Sequence, residues 1–268
     1  MALDTGLSGS TFFVTGASGG IGGACARALA AEGARVVLHA HRNVDAARRL
    51  IEEDAALSDA RALVVAGDVS SEADTDRMFD SALERFGRLD GIVVNAGVWD
   101  ADSTPIHRMA LERFERSVSI NLTGAFLTTR AFFRHLDTDR REHAGVVLVG
   151  STAAMFGEEG HVEYAAAKAG LIHGMTRSLK NEIVRLAPKG RVNAVCPGWT
   201  RTAMAESALE DRAAVERAMK TRAIREIASA EDIAGAVVFL LSPRLAGHVT
   251  GEILTVSAGM EGRLLHDD

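Results

Sequence analysis

The sequence predicts an α/β fold built on one parallel sheet, and three observations predict it. Short apolar runs alternate with helical patterns along the chain, which calls for right-handed crossovers between parallel strands. The first apolar run passes through a glycine-rich turn directly into a helical pattern. No linker, low-complexity tract or internal repeat marks a boundary, so residues 1–268 read as one domain.

Composition narrows the function classes. The chain of 268 residues is 47% hydrophobic and 25% charged, enough for a sizeable core. Its net charge of −6 argues against a nucleic-acid surface, which needs clustered Lys and Arg. No run approaches the ~18 apolar residues of a membrane span. Residues 1–10 lack the basic start and apolar stretch of a secretory signal. Cys25 and Cys196 sit in apolar contexts and form neither a disulfide framework nor a metal cluster. The expectation is a reduced, cytoplasmic protein with no metal, nucleic-acid or membrane partner.

The elements follow in order. Residues 11–14 are a buried strand. The turn Thr15-Gly16-Ala17-Ser18-Gly19-Gly20-Ile21-Gly22 opens a helix over 24–31, ended near Gly33. Its pertinent glycines, Gly16, Gly20 and Gly22, are set as G-x-x-x-G-x-G. Strand, glycine turn and helix together suit a pyrophosphate, which the helix N-terminus favours by its free N–H groups and dipole. The second strand, 35–38, leads into His39-Ala40-His41-Arg42-Asn43, with no carboxylate before Asp45. A dinucleotide site commonly holds the ribose hydroxyls with an acidic residue there. Arg and His would instead hold a 2′-phosphate, so this end predicts NADP(H) over NAD(H); the alternative is a solvated basic loop.

A helix over 44–56 precedes the third strand, 62–66, which ends at Gly67-Asp68-Val69. Asp68 is placed to receive an adenine amino group or to cap the next helix, which runs to Phe86. The fourth strand, 91–94, is followed directly by Asn95-Ala96-Gly97. One helix is predicted over 111–133; Asn121 and Gly124 inside it are costly, and a buried Asn amide needs partners. Residues 137–143 read as a charged loop. The fifth strand, 146–149, ends at Gly150-Ser151-Thr152, and strand carboxyl ends are where open α/β sheets bind ligands. Tyr164, the only tyrosine, and Lys168 stand four apart among alanines and so share a helix face. A nearby cation lowers a phenol pKa that starts near ~10, which suits proton transfer at neutral pH. An apolar helix over 234–241 and a last strand over 253–256 complete the pattern.

These residues together resemble the short-chain dehydrogenase/reductases almost from end to end. The resemblance rests on Thr15-Gly16-x-x-x-Gly20-x-Gly22, Asn95-Ala96-Gly97, Asn121, Ser151, Tyr164-x-x-x-Lys168, and Pro197-Gly198 followed by Thr200 and Thr202. It implies a single-domain, Rossmann-like, doubly wound parallel sheet of about seven strands with helices on both faces. It also implies hydride transfer between a nicotinamide and a carbonyl or alcohol carbon. Tyr164 would be the general acid in ketone reduction, Ser151 would hold the substrate oxygen, and Lys168 would lower the phenol pKa. Asn121 would hold a relay water. Cofactor contacts are implied for Gly16, Ser18, Gly20, Ile21, Gly22, His41, Arg42, Asn43, Asp68, Val69, Asn95, Ala96, Gly97, Tyr164, Lys168, Pro197, Gly198, Thr200 and Thr202.

Within the family the chain is most similar to the 3-oxoacyl-[acyl-carrier-protein] reductases, in Tyr164 to Ile172, Gly190-Arg191-Val192-Asn193 and Thr250-Gly251-Glu252. The end of the second strand also resembles that of the pteridine reductases. Gly19 stands where many NADPH members carry Arg or Lys. Arg134 matches one of two carrier-docking arginines, whereas Asn181 falls at the other. The resemblance implies a substrate lid at about 200–227, helical in pattern, and a homotetramer or dimer. Residues 259–265 are apolar enough to pack on a neighbouring subunit. Glu158-Glu159-Gly160-His161 borders the cleft as a rim against anionic substrates or as a solvated loop. Val98, Trp99, Met155, Phe156 and Trp199 form an apolar substrate wall or belong to the core. The expected activity is NADP(H)-dependent reduction of a ketone, including a 3-oxoacyl thioester. Alternatives are an alcohol, sugar or steroid dehydrogenase of the same family, or a non-catalytic NADP-binding regulator.

Overall fold

The computed structural model describes residues 4–58 and 60–264. Its seven strands form one parallel sheet in the order β3-β2-β1-β4-β5-β6-β7. They are β1 (Thr11–Val14), β2 (Arg35–Ala40), β3 (Ala62–Ala66), β4 (Gly91–Val94), β5 (Gly145–Val149), β6 (Arg191–Pro197) and β7 (Ile253–Val256). Strand order reverses between β1 and β4, which opens a crevice at their carboxyl ends.

Because both faces are covered, the central strands are apolar throughout; all residues of β1, β4 and β5 are buried. On one face lie α1 (Gly20–Ala31), α2 (Val44–Glu53) and, after the others, α11 (Ala230–Leu241), with Leu29, Ile233 and Val237 against Val14 and Val36. On the other lie α3 (Glu72–Phe86), α4 (Leu111–Val118), α5 (Gly124–Thr138), the short α6 (Ala153–Phe156), α7 (Val162–Ala169) and α8 (Thr176–Ile183). Here Phe13 stacks on Phe79 with ring centres 4.7 Å apart. Two short helices, α9 (Glu206–Glu210) and α10 (Arg212–Lys220), follow β6 in the chain.

Several sequence expectations are corrected. The predicted helix over 111–133 is α4, a π-helical turn over Ser119–Thr123, and α5, which continues to Thr138. The charged loop is therefore shorter than 137–143. Residues 44–56 are α2 followed by a separate 3₁₀ turn, Ala55–Leu57, capped by Asp54. Ser71, not Asp68, caps α3: its hydroxyl accepts from the Asp74 N–H. The stretch 200–227 is helical only in α9 and α10, and it returns to the sheet through a bridge between Thr200 and Ala228. Residue 265 of the apolar tail lies outside the described residues, and Leu264 is exposed. Among the described residues no helix is long and apolar enough to cross a membrane.

Candidate active site

The glycine turn after β1 is fastened from three sides. Gly16 sits at φ +67°, a left-handed conformation that only glycine takes without strain. A Cβ on Gly22 would collide with the Gly16 carbonyl, so the turn and α1 close up only with glycine there. Asn95 donates to the carbonyls of Thr15 (3.0 Å) and Gly16 (3.2 Å). The Thr15 hydroxyl accepts from the N–H groups of Asn95 (2.8 Å) and Ala96 (2.9 Å). No side chain caps the start of α1, leaving its first N–H groups to an anion. Thr202 reaches back to this turn, with its methyl 3.3 Å from where a Gly20 Cβ would stand.

His39 is the third fastening, and its role was not legible in the sequence. It is buried; the Gly16 N–H donates to its Nδ1 (3.1 Å), so Nε2 carries the proton and donates to the Gly67 carbonyl (3.0 Å). Burial holds its pKa below the ordinary 6.5. Burial does the same to His135, at the opposite end of the sheet. Stability stored this way is present above pH 6.5 and is lost as pH falls from there through the folded pKa values, because the unfolded chain then binds more protons. The thermal midpoint is expected to drop between pH 7 and 5.5, with a smaller drop in His39→Gln, His135→Gln.

His41, Arg42 and Asn43, after β2, are exposed. Asp68 lies 4.0 Å from His41. Partial burial pushes the Asp68 carboxyl up, but hydrogen bonds from the Ser70 hydroxyl and N–H hold it below the ordinary value. Val69 is buried against Gly124.

Ser151 and Tyr164 meet at the carboxyl end of β5. The Ser151 hydroxyl lies near enough to the phenol to favour its ionised form, and its oxygen accepts the Ala153 N–H at 3.1 Å. Lys168, one turn along α7, is buried, donates to the Val149 carbonyl at 2.8 Å, and has Nζ 5.8 Å from the Tyr164 ring centre. The expected depression of the phenol pKa is not produced by the chain alone. Desolvation outweighs the pull of the Ser151 hydroxyl and pushes Tyr164 up to about 12. Burial likewise brings Lys168 down to about 8. The buried Cys196 thiol stands beside both and is itself raised to about 11 by burial.

Asn121, in the π-helical turn, is 1% exposed and its amide is committed to protein partners. It donates to the Val98 carbonyl (2.9 Å) and the Ser117 hydroxyl (3.1 Å), and accepts the Val98 N–H (3.0 Å). A Cβ on Gly97 would lie 2.5 Å from Asn121 Oδ1 and 3.4 Å from Lys168 Nζ, so these groups converge behind the strand end. Pro197 continues the ladder, its carbonyl accepting the Thr152 N–H at 3.0 Å. Thr200 is buried, its hydroxyl bonded to the Gly198 carbonyl. Met155 and Phe156 are exposed and Trp99 is half-buried.

A family model described as enoyl-(acyl carrier protein) reductase matches residues 16–261. The chain is 34% identical to a 3-oxoacyl-[acyl-carrier-protein] reductase of Synechocystis sp., covering 96% of this chain and 98% of the other. It is 35% identical to 3beta-hydroxysteroid dehydrogenase 1 of Eggerthella lenta, covering 95% and 94%. A crystal structure of a short-chain dehydrogenase/reductase, glucose/ribitol dehydrogenase, from Brucella melitensis superimposes with a TM-score of 0.85 at 32% identity, over 95% of this chain and 97% of that one. With the glycine turn, the Ser151–Tyr164–Lys168 cluster and the seven-stranded sheet, these matches place the chain in the short-chain dehydrogenase/reductase family, as an NAD(P)-dependent oxidoreductase of CH–OH and C=O groups.

Proposed function

We propose that the chain is an NADP(H)-dependent carbonyl reductase that converts a ketone to a secondary alcohol. The observation that carries this reading is the Tyr164 phenol beside the Ser151 hydroxyl, with Lys168 Nζ 5.8 Å from its ring centre and bonded to the Val149 carbonyl, at the strand end that borders the crevice. In this reading the Ser151 hydroxyl orients the substrate oxygen and Tyr164 delivers a proton to it. Lys168 lies on the path that re-supplies the phenol. Asn121 positions the 95–98 backbone and borders that path.

The site fits the cofactor. Gly16, Ser18, Gly20, Ile21 and Gly22 would hold the pyrophosphate, Asp68 and Val69 the adenine, and Asn95, Ala96 and Gly97 the adenosine ribose. Pro197, Gly198, Thr200 and Thr202 would cover the nicotinamide, and residues 200–227 would act as the lid. When bound, the nicotinamide supplies the hydride. Preference for NADP(H) rests on exposed His41, Arg42 and Asn43 at the end of β2, a segment that itself carries no carboxylate. Arg42→Ala is expected to raise the KM for NADPH about tenfold or more, a charge-assisted bond's worth, and to leave that for NADH nearly unchanged. Steady-state kinetics with both cofactors checks this.

Residues 1–268 act as one unit in this reading, and a cytoplasmic homo-oligomer is proposed with it. Apolar side chains exposed on α4 and α5 (Leu111, Phe114, Phe126) and on β7 (Leu254) support self-association. Acetoacetyl thioesters, cyclic ketones, diketones and sugars, screened by cofactor absorbance, test the function. Turnover of none of them contradicts it.

A further inference from the structure

Glu158 stands in the loop between Ser151 and Tyr164 and is held there by aromatic neighbours. The Trp99 indole N–H donates to its Oε1 at 3.2 Å, and His161 Nδ1 lies 3.6 Å from the same oxygen. The His161 ring stacks on Trp99, with centres 5.1 Å apart, and is itself buried, its nitrogens facing the carbonyls of Glu159 and Asp100. Among the described residues nothing bonds the second Glu158 oxygen, and the side chain is 30% exposed.

The wall carrying this carboxylate is built to stay in place. Arg113 donates to Glu163 at 2.9 Å, to the Asp102 carbonyl at 2.8 Å, to the Thr104 hydroxyl at 2.9 Å and to the Gly160 carbonyl at 3.4 Å. The Thr104 N–H also donates to the Gly160 carbonyl, at 3.0 Å. One guanidinium thus sews the loop after β4 to the loop before α7. The Glu158 charge is felt at the Tyr164 phenol, which it helps push up. A carboxylate fixed by Trp99 and His161 in the loop between Ser151 and Tyr164 is suited to recognise part of a substrate.

We propose that Glu158 is a specificity-determining residue whose unpaired oxygen accepts a hydrogen bond from a second hydroxyl on the substrate, so that the enzyme prefers hydroxyketones and their diols to plain ketones. The inference rests on the carbonyl-reductase reading above. A hydroxyl satisfies the carboxylate, whereas a plain ring leaves it desolvated without a partner, which a hydrogen bond to a charged group makes costly.

The test compares kcat/KM for 2- and 4-hydroxycyclohexanone with that for cyclohexanone, in the full chain with NADPH. The wild type is expected to favour at least one hydroxyketone by about tenfold or more. Glu158→Leu is expected to bring the ratio to about one, and Glu158→Gln, which keeps an acceptor oxygen, to an intermediate value. The ratio is read within one variant, so a general loss of activity does not affect it. Equal kcat/KM values in the wild type, or a preference that survives in Glu158→Leu, would overturn this inference alone. Turnover of none of the three by a wild type that reduces another ketone of the screen above would also overturn this inference alone, whereas turnover of nothing in that screen would overturn the reductase reading and this inference with it.

Discussion

Tyr164→Phe is expected to lower kcat by about two to four orders of magnitude, the range a positioned general acid contributes. Phenylalanine keeps the ring and its packing, and only the hydroxyl is lost. The variant should fold with an unchanged thermal midpoint and bind NADPH as the wild type does, read by nucleotide fluorescence. The Ser151 hydroxyl keeps the Ala153 N–H, so the strand end stays in place. A kcat within threefold of wild type would remove Tyr164 from the chemistry.

Lys168→Met is expected to move activity and stability in opposite directions. The ammonium is buried and donates to the Val149 carbonyl, and burial lowers its pKa from 10.5 to about 8. Below pH 8 the folded chain carries the full cost of a buried ammonium; that cost fades as pH rises to 10.5, since the unfolded chain there binds more protons. Methionine fills similar space without charge. At pH 7 the variant should be more stable by up to about 3 kcal/mol and should lack the gain that the wild type shows between pH 8 and 10.5. Its kcat/KM should fall by about a hundredfold or more, as for loss of a proton-transfer partner. Urea unfolding at pH 7 and pH 9.5, beside turnover, separates this outcome from simple misfolding.

The parts of the site that lie close together in sequence were legible there. Strand, glycine turn and α1 form one continuous stretch, and Tyr164 and Lys168 fall on one helix face by spacing alone. Six strands stand out as apolar runs, and β6 does not. Asn193 interrupts that run, and only tertiary structure shows its amide donating to the Val249 carbonyl and accepting the Glu252 N–H. Arg191, opening the same strand, is buried because its guanidinium bonds the carbonyls of Leu240 and Leu241.

Long-range pairings account for the other differences. His39 reads as part of a basic strand end, yet it is a neutral bolt between Gly16 and Gly67. Asn121 reads as a costly polar residue, and its partners come from Val98, 23 residues away, and from Ser117. Glu158 gains its meaning from Trp99, 59 positions earlier. The phenol pKa shows the same limit most directly. The i and i+4 spacing places a cation beside Tyr164, but how far each group is desolvated depends on everything packed around it.

Because Tyr164 is the only tyrosine, its ionisation is followed at 295 nm without interference from another phenol. In the ligand-free protein the phenol, raised to about 12, should stay un-ionised through pH 10.5 while circular dichroism remains native. Saturating NADP⁺ adds a positive charge to the crevice, and the phenolate signal should then appear below pH ~10. A midpoint near the free-phenol value of ~10 that does not move on adding NADP⁺ would contradict the assignment of Tyr164 as the proton-transfer group of the cofactor cleft.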